Sequence, residues 1–65
     1  MARYIFAAAR DGSMLLSWVD AEHDEAATDA ALAAAADHHG LKCEPEDIEC
    51  NLDGFVVILT TDLIE

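Results

Sequence analysis

Apolar and polar residues alternate in runs that predict a β-hairpin followed by a helix. Residues 2–9 ("ARYIFAAA") and 13–19 ("SMLLSWV") form two β-rich runs, and Asp11-Gly12 between them is a strong hairpin-turn signal. Asp20 suits a helix N-cap, and the alanine-rich run that follows has acids in its first turn and histidines in its last. Gly40 followed by an apolar residue is a common way to end such a helix.

The second half of the chain predicts two more strands. Residues 47–52 ("DIECNL") alternate strictly, which favours a half-exposed strand with its apolar side inward. The inward residues would be Ile48, Cys50 and Leu52. Asp53-Gly54 predicts a second hairpin turn into 55–61 ("FVVILTT"), a run typical of a strand buried on both faces. The last four residues, "DLIE", would extend that strand or fray.

The predicted fold is therefore α+β, with the element order β-β-α-β-β in one domain over residues 1–65. Its four-stranded sheet is mainly antiparallel, and the helix packs on one face of the sheet. At 100° per residue, a small and smooth side of the helix should face the sheet with Leu32 at its flank. That side consists of Ala27, Ala31, Ala34, Ala35 and His38. The opposite side presents acids to solvent.

Both faces of the predicted sheet are apolar. One face is expected to carry Tyr4, Phe6, Met14, Leu16, Trp18, Phe55, Val57 and Leu59, and the other Ile5, Leu15, Val19, Val56 and Ile58. One helix covers only one face, and an uncovered apolar patch usually marks an interface. We therefore expect either a homodimer through the sheet or a partner docked there. The alternative is a strongly curled sheet that covers its own second face.

Composition adds an extreme negative charge to this picture. The chain has 65 residues, 54% of them hydrophobic, which suits a folded domain rather than a disordered one. Fourteen Asp and Glu against three Lys and Arg give a net charge of −11. Such a chain repels phosphate, so direct binding to nucleic acid or to an anionic membrane is not expected, and partners should be basic. No apolar run suggests a signal peptide or a membrane span, so a cytoplasmic location is expected.

Residues 37–50 ("DHHGLKCEPEDIEC") combine histidines, cysteines and acids, which raises the question of a metal site. Cys43 and Cys50 are too far apart for the short cysteine spacing of a zinc knuckle, and no second pair exists. The side chains of His38 and His39 point about 100° apart on a helix, so at most one of them could share a metal site with the two cysteines. We expect no metal and no cofactor. A four-ligand set of His39, Cys43, Cys50 and one acid is the alternative, and a Cys43–Cys50 disulfide would be unusual in the cytoplasm.

Catalytic motifs are lacking as well. Ser13 and Ser17 lie on a predicted strand without a nucleophile elbow, and His23 has no evident serine or cysteine partner. A general acid needs a sheltered pocket, for which so short a chain has little room. No phosphate-binding glycine loop appears. We therefore expect a protein that is not an enzyme.

The spacing of the acids is the remaining functional signal. Carboxylates four apart on a helix stand about 6 Å apart along its axis, and carboxylates two apart on a strand about 6.7 Å. Both distances resemble the stride of a phosphate backbone. The acids could therefore present a negative ribbon to a cationic groove built for nucleic acid. The residues expected to bind such a partner are Glu22, Glu25, Asp29, Asp37, Glu44, Glu46, Asp47, Glu49 and Asp53.

In size, acidity and lack of catalytic residues, the chain resembles the small phage-encoded anti-CRISPR and anti-restriction proteins that act as DNA mimics. These proteins share no motif, so the resemblance assigns no individual residue. It implies an inhibitor, located in the cytoplasm of the host cell, that occupies the DNA-binding surface of a CRISPR surveillance complex where the protospacer-adjacent motif is read. The rival interpretation is a small interaction module or housekeeping subunit of a salt-adapted organism, whose acids only solvate the surface. The first 19 residues contain a single acid, Asp11, and this lopsided placement favours the mimic. A first hairpin that is buried would produce the same asymmetry.

Overall fold

The protein folds as a three-stranded antiparallel sheet with one helix on one face. The computed structural model describes residues 1–63. The elements are β1 (Ala2–Arg10), β2 (Ser13–Ala21), α1 (Asp24–His39) and β3 (Gly54–Leu59). The strand order is β2-β1-β3, so β1 is the central strand. The α+β class is confirmed. The predicted fourth strand is absent among the described residues.

The hairpin turn between β1 and β2 is the two-residue turn that the sequence predicts. Asp11 and Gly12 both have positive φ, at 52° and 79°, which is the conformation of a type I′ turn. Arg10 pairs directly with Ser13 across this turn. Glycine adopts a positive φ without the steric cost of a Cβ atom, and aspartate is among the residues that tolerate it. The turn therefore fixes the register of the whole hairpin.

This register corrects the predicted faces of the sheet. Directly opposed residues share a face, and β1 residues of even number oppose β2 residues of odd number, as Tyr4 opposes Val19. Met14, Leu16 and Trp18 therefore lie on the face away from the helix, not beside Tyr4 as predicted. A face shift of this kind results from an error of one residue in register. Leu15 and Val19 lie on the helix side instead.

The helix begins later than predicted. Asp20 lies in β2 opposite Arg3, and His23 occupies the N-cap position in extended conformation, with φ −156° and ψ 170°. The Nδ1 atom of His23 accepts a hydrogen bond from the amide of Ala26 at 3.1 Å. Pairing with β1 as far as Ala21 keeps the chain extended, and this tertiary contact overrides the capping preference of Asp20.

The end of the helix confirms the prediction. Gly40 adopts the left-handed conformation at φ 69°, and its amide donates to the carbonyl of Asp37 at 3.4 Å. The amide of Leu41 donates to the carbonyl of Ala36 at 2.8 Å. These two hydrogen bonds form a Schellman motif, which satisfies carbonyls that the helix leaves without partners.

Alanines allow the helix to lie close to the sheet. Ala27, Ala31 and Ala35 are fully buried, spaced four residues apart as predicted, and the sheet buries Tyr4 and Phe6 beneath them. The prediction is wrong for two other residues. His38 is exposed and Ala34 is only half-buried, whereas His39 is the histidine that turns inward.

The segment predicted as a strand at 47–52 instead forms two 3₁₀ turns, Pro45–Asp47 and Glu49–Asn51. Pro45 starts the first turn, and the Asn51 side-chain amide donates to the carbonyl of Asp47 at 2.8 Å. The backbone groups are thus satisfied locally rather than by a neighbouring strand. Ile48 is buried as predicted, but Cys50 is exposed.

β3 begins without a second hairpin. The amide of Asp53 donates to the carbonyl of Ala9 at 2.7 Å, which leads the chain directly into an edge strand along β1. Val56 and Ile58 are 49% and 36% exposed, so the predicted burial on both faces is wrong. The strand ends at Leu59, and Thr60–Leu63 forms a 3₁₀ turn rather than a strand extension. The prediction for residues 64 and 65 lies outside the described residues.

We expect Ala31→Leu to destabilise the fold by about 1–3 kcal/mol, because the larger side chain has no space between helix and sheet. Ala30→Leu is the matched control, since Ala30 is exposed on the same helix. The measurement is the free energy of unfolding in urea. Equal stability of the two variants would contradict the close helix-sheet contact.

Candidate functional site

All nine acids predicted to bind a partner are exposed. They do not form one continuous ribbon, because the helix has no acid between Asp29 and Asp37, an interval of about 12 Å. Three acids form the helix-start group: Glu22, Glu25 and Asp29. The other six form the hairpin-end group: Asp37, Glu44, Glu46, Asp47, Glu49 and Asp53.

The two groups lie towards opposite ends of the helix and of the sheet. At the helix start, the hydroxyl of Tyr4 donates to the carboxylate of Asp24 at 2.8 Å. At the helix end, the ring of His39 reaches the carbonyl of Ala8, with Nε2 at 3.1 Å. A carbonyl only accepts, so Nε2 of His39 carries the proton in this contact. These two contacts place the helix start near the Tyr4 end of β1 and the helix end near the hairpin turn.

The helix stabilises part of the negative charge of the helix-start group. Glu25 and Asp29 are four residues apart, so their positions on the helix are about 6 Å apart along its axis. Glu25 also lies in the first turn, where free amides and the helix dipole favour negative charge. Acids at this position stabilise the helix, so they have a structural role whether or not they bind a partner.

The hairpin-end group lies largely on the connector between Gly40 and β3. Because residues 47–52 are not a strand, the predicted strand spacing of about 6.7 Å does not apply there. Glu46 and Glu49 are three residues apart in consecutive 3₁₀ turns, which corresponds to a rise of about 6 Å. Ile48 is 7% exposed and anchors the connector between the two turns. The acids around it therefore face outward.

Hydrogen bonds hold the connector to the tip of the β-hairpin. Arg10 donates from Nη1 to the carbonyl of Asn51 at 2.8 Å, and the carboxylate of Asp53 accepts from the amide of Asp11 at 2.8 Å. Arg10 also contacts the carboxylate of Asp11, with Nε at 3.6 Å from the oxygen. These bonds fix the path of the acidic connector. They also give Asp53 a structural role within the chain.

Arg3 and Asp20 form an exposed ion pair on the sheet face away from the helix. The Nε atom of Arg3 lies 3.0 Å from an Asp20 carboxylate oxygen, and Nη2 lies 3.4 Å from the other oxygen. The guanidinium also stacks over the ring of Trp18, 3.8 Å from its centroid. The hydrogen bond from Arg3 lowers the pKa of Asp20 and raises the pKa of Arg3. The two opposite charges balance one another on this face.

Sequence reasoning missed this cluster because it assigned Asp20 to the helix. A signal for it exists in the sequence. A two-residue turn at Asp11-Gly12 pairs Arg10 with Ser13, and the same register places Arg3 opposite Asp20. Opposite charges directly across two strands stabilise the pairing.

The histidines and cysteines of residues 37–50 do not converge. Cys43 and Cys50 are both exposed free thiols, and His38 is exposed at the end of the helix. The rings of His38 and His39 meet edge to face, with centroids 4.8 Å apart. Among the residues that the structure describes, no group of three or more His, Cys, Asp or Glu side chains could hold a metal ion.

An open groove lies between the start of the helix and β3, with a volume of about 470 Å³. It arises because α1 contacts β2 more extensively than β3. Tyr4, Asp24, Thr28 and Leu59 line it together with Val57 and Ile58. The carboxylate of Asp24 already accepts a hydrogen bond from Tyr4, and the lining contains neither a thiol nor a histidine.

No protein-family model, curated protein or solved structure matches the chain. The function must therefore be argued from this chain's own surfaces. Within residues 1–63, none of the helices has the length and apolar character needed to cross a membrane.

We expect Asp20 to titrate below the ordinary range of an aspartate, and Arg3→Gln to raise its pKa towards that range. A lowered pKa in the folded state adds stability above the unfolded pKa, and this stability is lost as the pH falls through the folded pKa. The measurement is the pH dependence of the Asp20 carboxyl carbon signal by NMR. An identical titration of Asp20 in the protein and in the variant would contradict the ion pair.

Proposed function

We propose that this chain is an inhibitor without enzymatic activity that occupies a cationic, nucleic-acid-binding surface of a partner protein. The supporting observation is the exposure of all nine predicted acids on the helix, the segment before it and the connector. Few cations accompany them. Arg10 is held by Asn51 and Asp11, which leaves Lys42 as the exposed basic residue on the connector.

The hairpin-end group is the stronger candidate for the contact. It contains six of the nine acids, and four of them are close in sequence on the connector: Glu44, Glu46, Asp47 and Glu49. Ile48 and the bonds of Arg10 and Asp53 hold this segment in place. A preorganised set of charges loses less conformational freedom on binding than a mobile one. Its negative field also speeds the approach of a basic partner.

The particular target that we propose is a CRISPR surveillance complex, at the surface that reads the protospacer-adjacent motif. In complexes of this kind, arginines contact base edges and other basic side chains track the phosphates. Carboxylates bind the same guanidinium groups through paired, charge-assisted hydrogen bonds. The acids would therefore compete directly with the target DNA. The class resemblance to small acidic DNA mimics supports this choice of target.

We expect Asp47→Lys/Glu49→Lys to weaken inhibition by about ten-fold or more, because each lysine meets a basic side chain of the target. The measurement is the binding of labelled target DNA to purified CRISPR surveillance complexes, by fluorescence anisotropy with increasing amounts of inhibitor. Circular dichroism confirms that the variant is folded.

The control is Glu25→Lys/Asp29→Lys in the helix-start group. Both double variants add four positive charges to the net charge of −11, so an effect of net charge alone would weaken inhibition equally in both. Selective loss in the connector variant supports the hairpin-end group as the contact. Full inhibition by a folded connector variant would refute this site, and inhibition of none of the complexes would refute the proposed target.

We expect the free energy of unfolding to rise with salt at first and then level off within a few tenths molar. Added salt shortens the screening length from about 30 Å at 0.01 M to about 8 Å at 0.15 M, which relieves the repulsion among the acids. The measurement is urea unfolding by circular dichroism at a series of potassium chloride concentrations. Folding only in molar salt would instead assign the acids to solvation in a salt-adapted organism.

A further inference from the structure

The sheet face away from the helix is an exposed apolar surface. Its large side chains include Leu16 at 70% exposed, Met14 at 65% and Trp18 at 53%. On β3, Val56 is 49% exposed and Ile58 is 36% exposed. Large contiguous apolar patches are uncommon on monomeric soluble proteins and mark contact surfaces. We call this surface the open face.

The side chains of the open face differ in size in a regular pattern across the three strands. Each row across the strands runs from a large residue on β2, through a smaller one on β1, to a residue of β3. The rows are Met14-Ala9-Gly54, Leu16-Ala7-Val56 and Trp18-Ile5-Ile58. β2 thus forms a ridge. Beside it, an apolar hollow of about 220 Å³ is lined by Ala7, Ala9, Gly54, Val56, Met14 and Phe55.

We propose that the open face binds a second copy of this chain, forming a two-fold symmetric dimer. A two-fold axis along β1 places the β2 ridge of one copy over β3 of the other. Met14 then enters the hollow above Gly54 of the second copy, and Leu16 lies over Val56 of the second copy. A two-fold contact uses the same surface on both copies, so it requires a face that is complementary to itself. The ridge and hollow meet this requirement.

The open face itself carries no net charge, so it can approach a second copy without local repulsion. The Arg3 and Asp20 side chains on the open face form a mutual ion pair, so they add no net charge. The acids on the connector and along α1 belong to the other side of the sheet or to its hairpin end. Two sheets packed face to face lie about 10 Å apart. Self-association through this face therefore keeps the acids on the outside of the dimer.

The size of the face predicts a weak dimer. Three strands are about 14 Å wide, and the nine residues of β1 span about 30 Å. Two such faces together have a projected area of about 840 Å², which is below the 1,200–2,000 Å² or so found in stable complexes. Long-range repulsion between two copies of charge −11 opposes association further. We therefore expect dissociation in roughly the micromolar range, tightening with salt as repulsion is screened.

The test is sedimentation velocity of the purified chain from about 1 μM to about 500 μM, a range that spans the expected affinity. The expected result is a shift from monomer to dimer with concentration, at lower concentration in higher salt. Trp18 gives a second signal, since the chain has one tryptophan and its emission should shift to the blue on dimerisation. A monomer at every concentration and salt would overturn the proposal.

Two variants test the ridge and the hollow separately. Leu16→Thr removes part of the ridge, and Gly54→Val fills the hollow. A Cβ atom at Gly54 meets nothing within 4 Å, and valine favours the strand conformation, so we expect the melting temperature of the variant to be unchanged or higher. Each variant should raise the dimer dissociation constant about ten-fold or more. Ala30→Ser on the exposed helix surface should leave it unchanged.

Gly54→Val enlarges the apolar surface, so its loss of dimerisation excludes general stickiness as the cause. Dimerisation of Gly54→Val as tight as that of the unmodified chain would overturn the ridge-in-hollow arrangement. A dimer that neither variant weakens would place the contact elsewhere. No partner protein enters this experiment, so its outcome is independent of the proposed inhibition.

Discussion

The register of the first hairpin is the constraint on which the rest of the structure depends. Asp11 and Gly12 form a two-residue turn with both φ angles positive, and the strands that leave it pair over their full length. That register determines which side chains of β2 face the helix and which face away. It also places Arg3 opposite Asp20. A shift of this register by one residue would expose Val19 and turn Trp18 towards the helix, which lies too close to the sheet to accommodate a large side chain.

The buried residues of the helix, which pack against this sheet, are all alanines. Fully buried Ala27, Ala31 and Ala35 bring the helix backbone close to β1 and β2, where Tyr4 and Phe6 fill the space. This arrangement makes a thin core with one covered face. A chain of this length is near the lower limit at which a single core supports a fold. The polar anchors at the two ends of β1, from Tyr4 to Asp24 and from His39 to Ala8, add to it.

The result is a molecule whose two sides differ in chemistry. One side has the helix and the acidic connector, with exposed carboxylates in two groups. The other has an apolar sheet face whose Arg3 and Asp20 side chains neutralise one another. Such a separation suits a protein with two contacts of opposite character. The proposed dimer uses the apolar side, and the proposed inhibition uses the acidic side, whose field attracts basic groups at long range.

Local signals in the sequence determined much of this protein. Asp11-Gly12 specified its turn because few residues tolerate positive φ, and Gly40 specified the helix end for the same reason. The alanine spacing identified the buried helix face, and the excess of acids identified a surface that repels phosphate. Tertiary structure decided the rest. Pairing with β1 extended β2 through Asp20 and moved the helix N-cap to His23. In the connector, Pro45 begins a 3₁₀ turn and the Asn51 side chain binds a backbone carbonyl, so the predicted strand at 47–52 does not form. A period-two pattern six residues long does not specify whether a partner strand exists, so tertiary structure also decided the path of the connector and the arrangement of the acids on it.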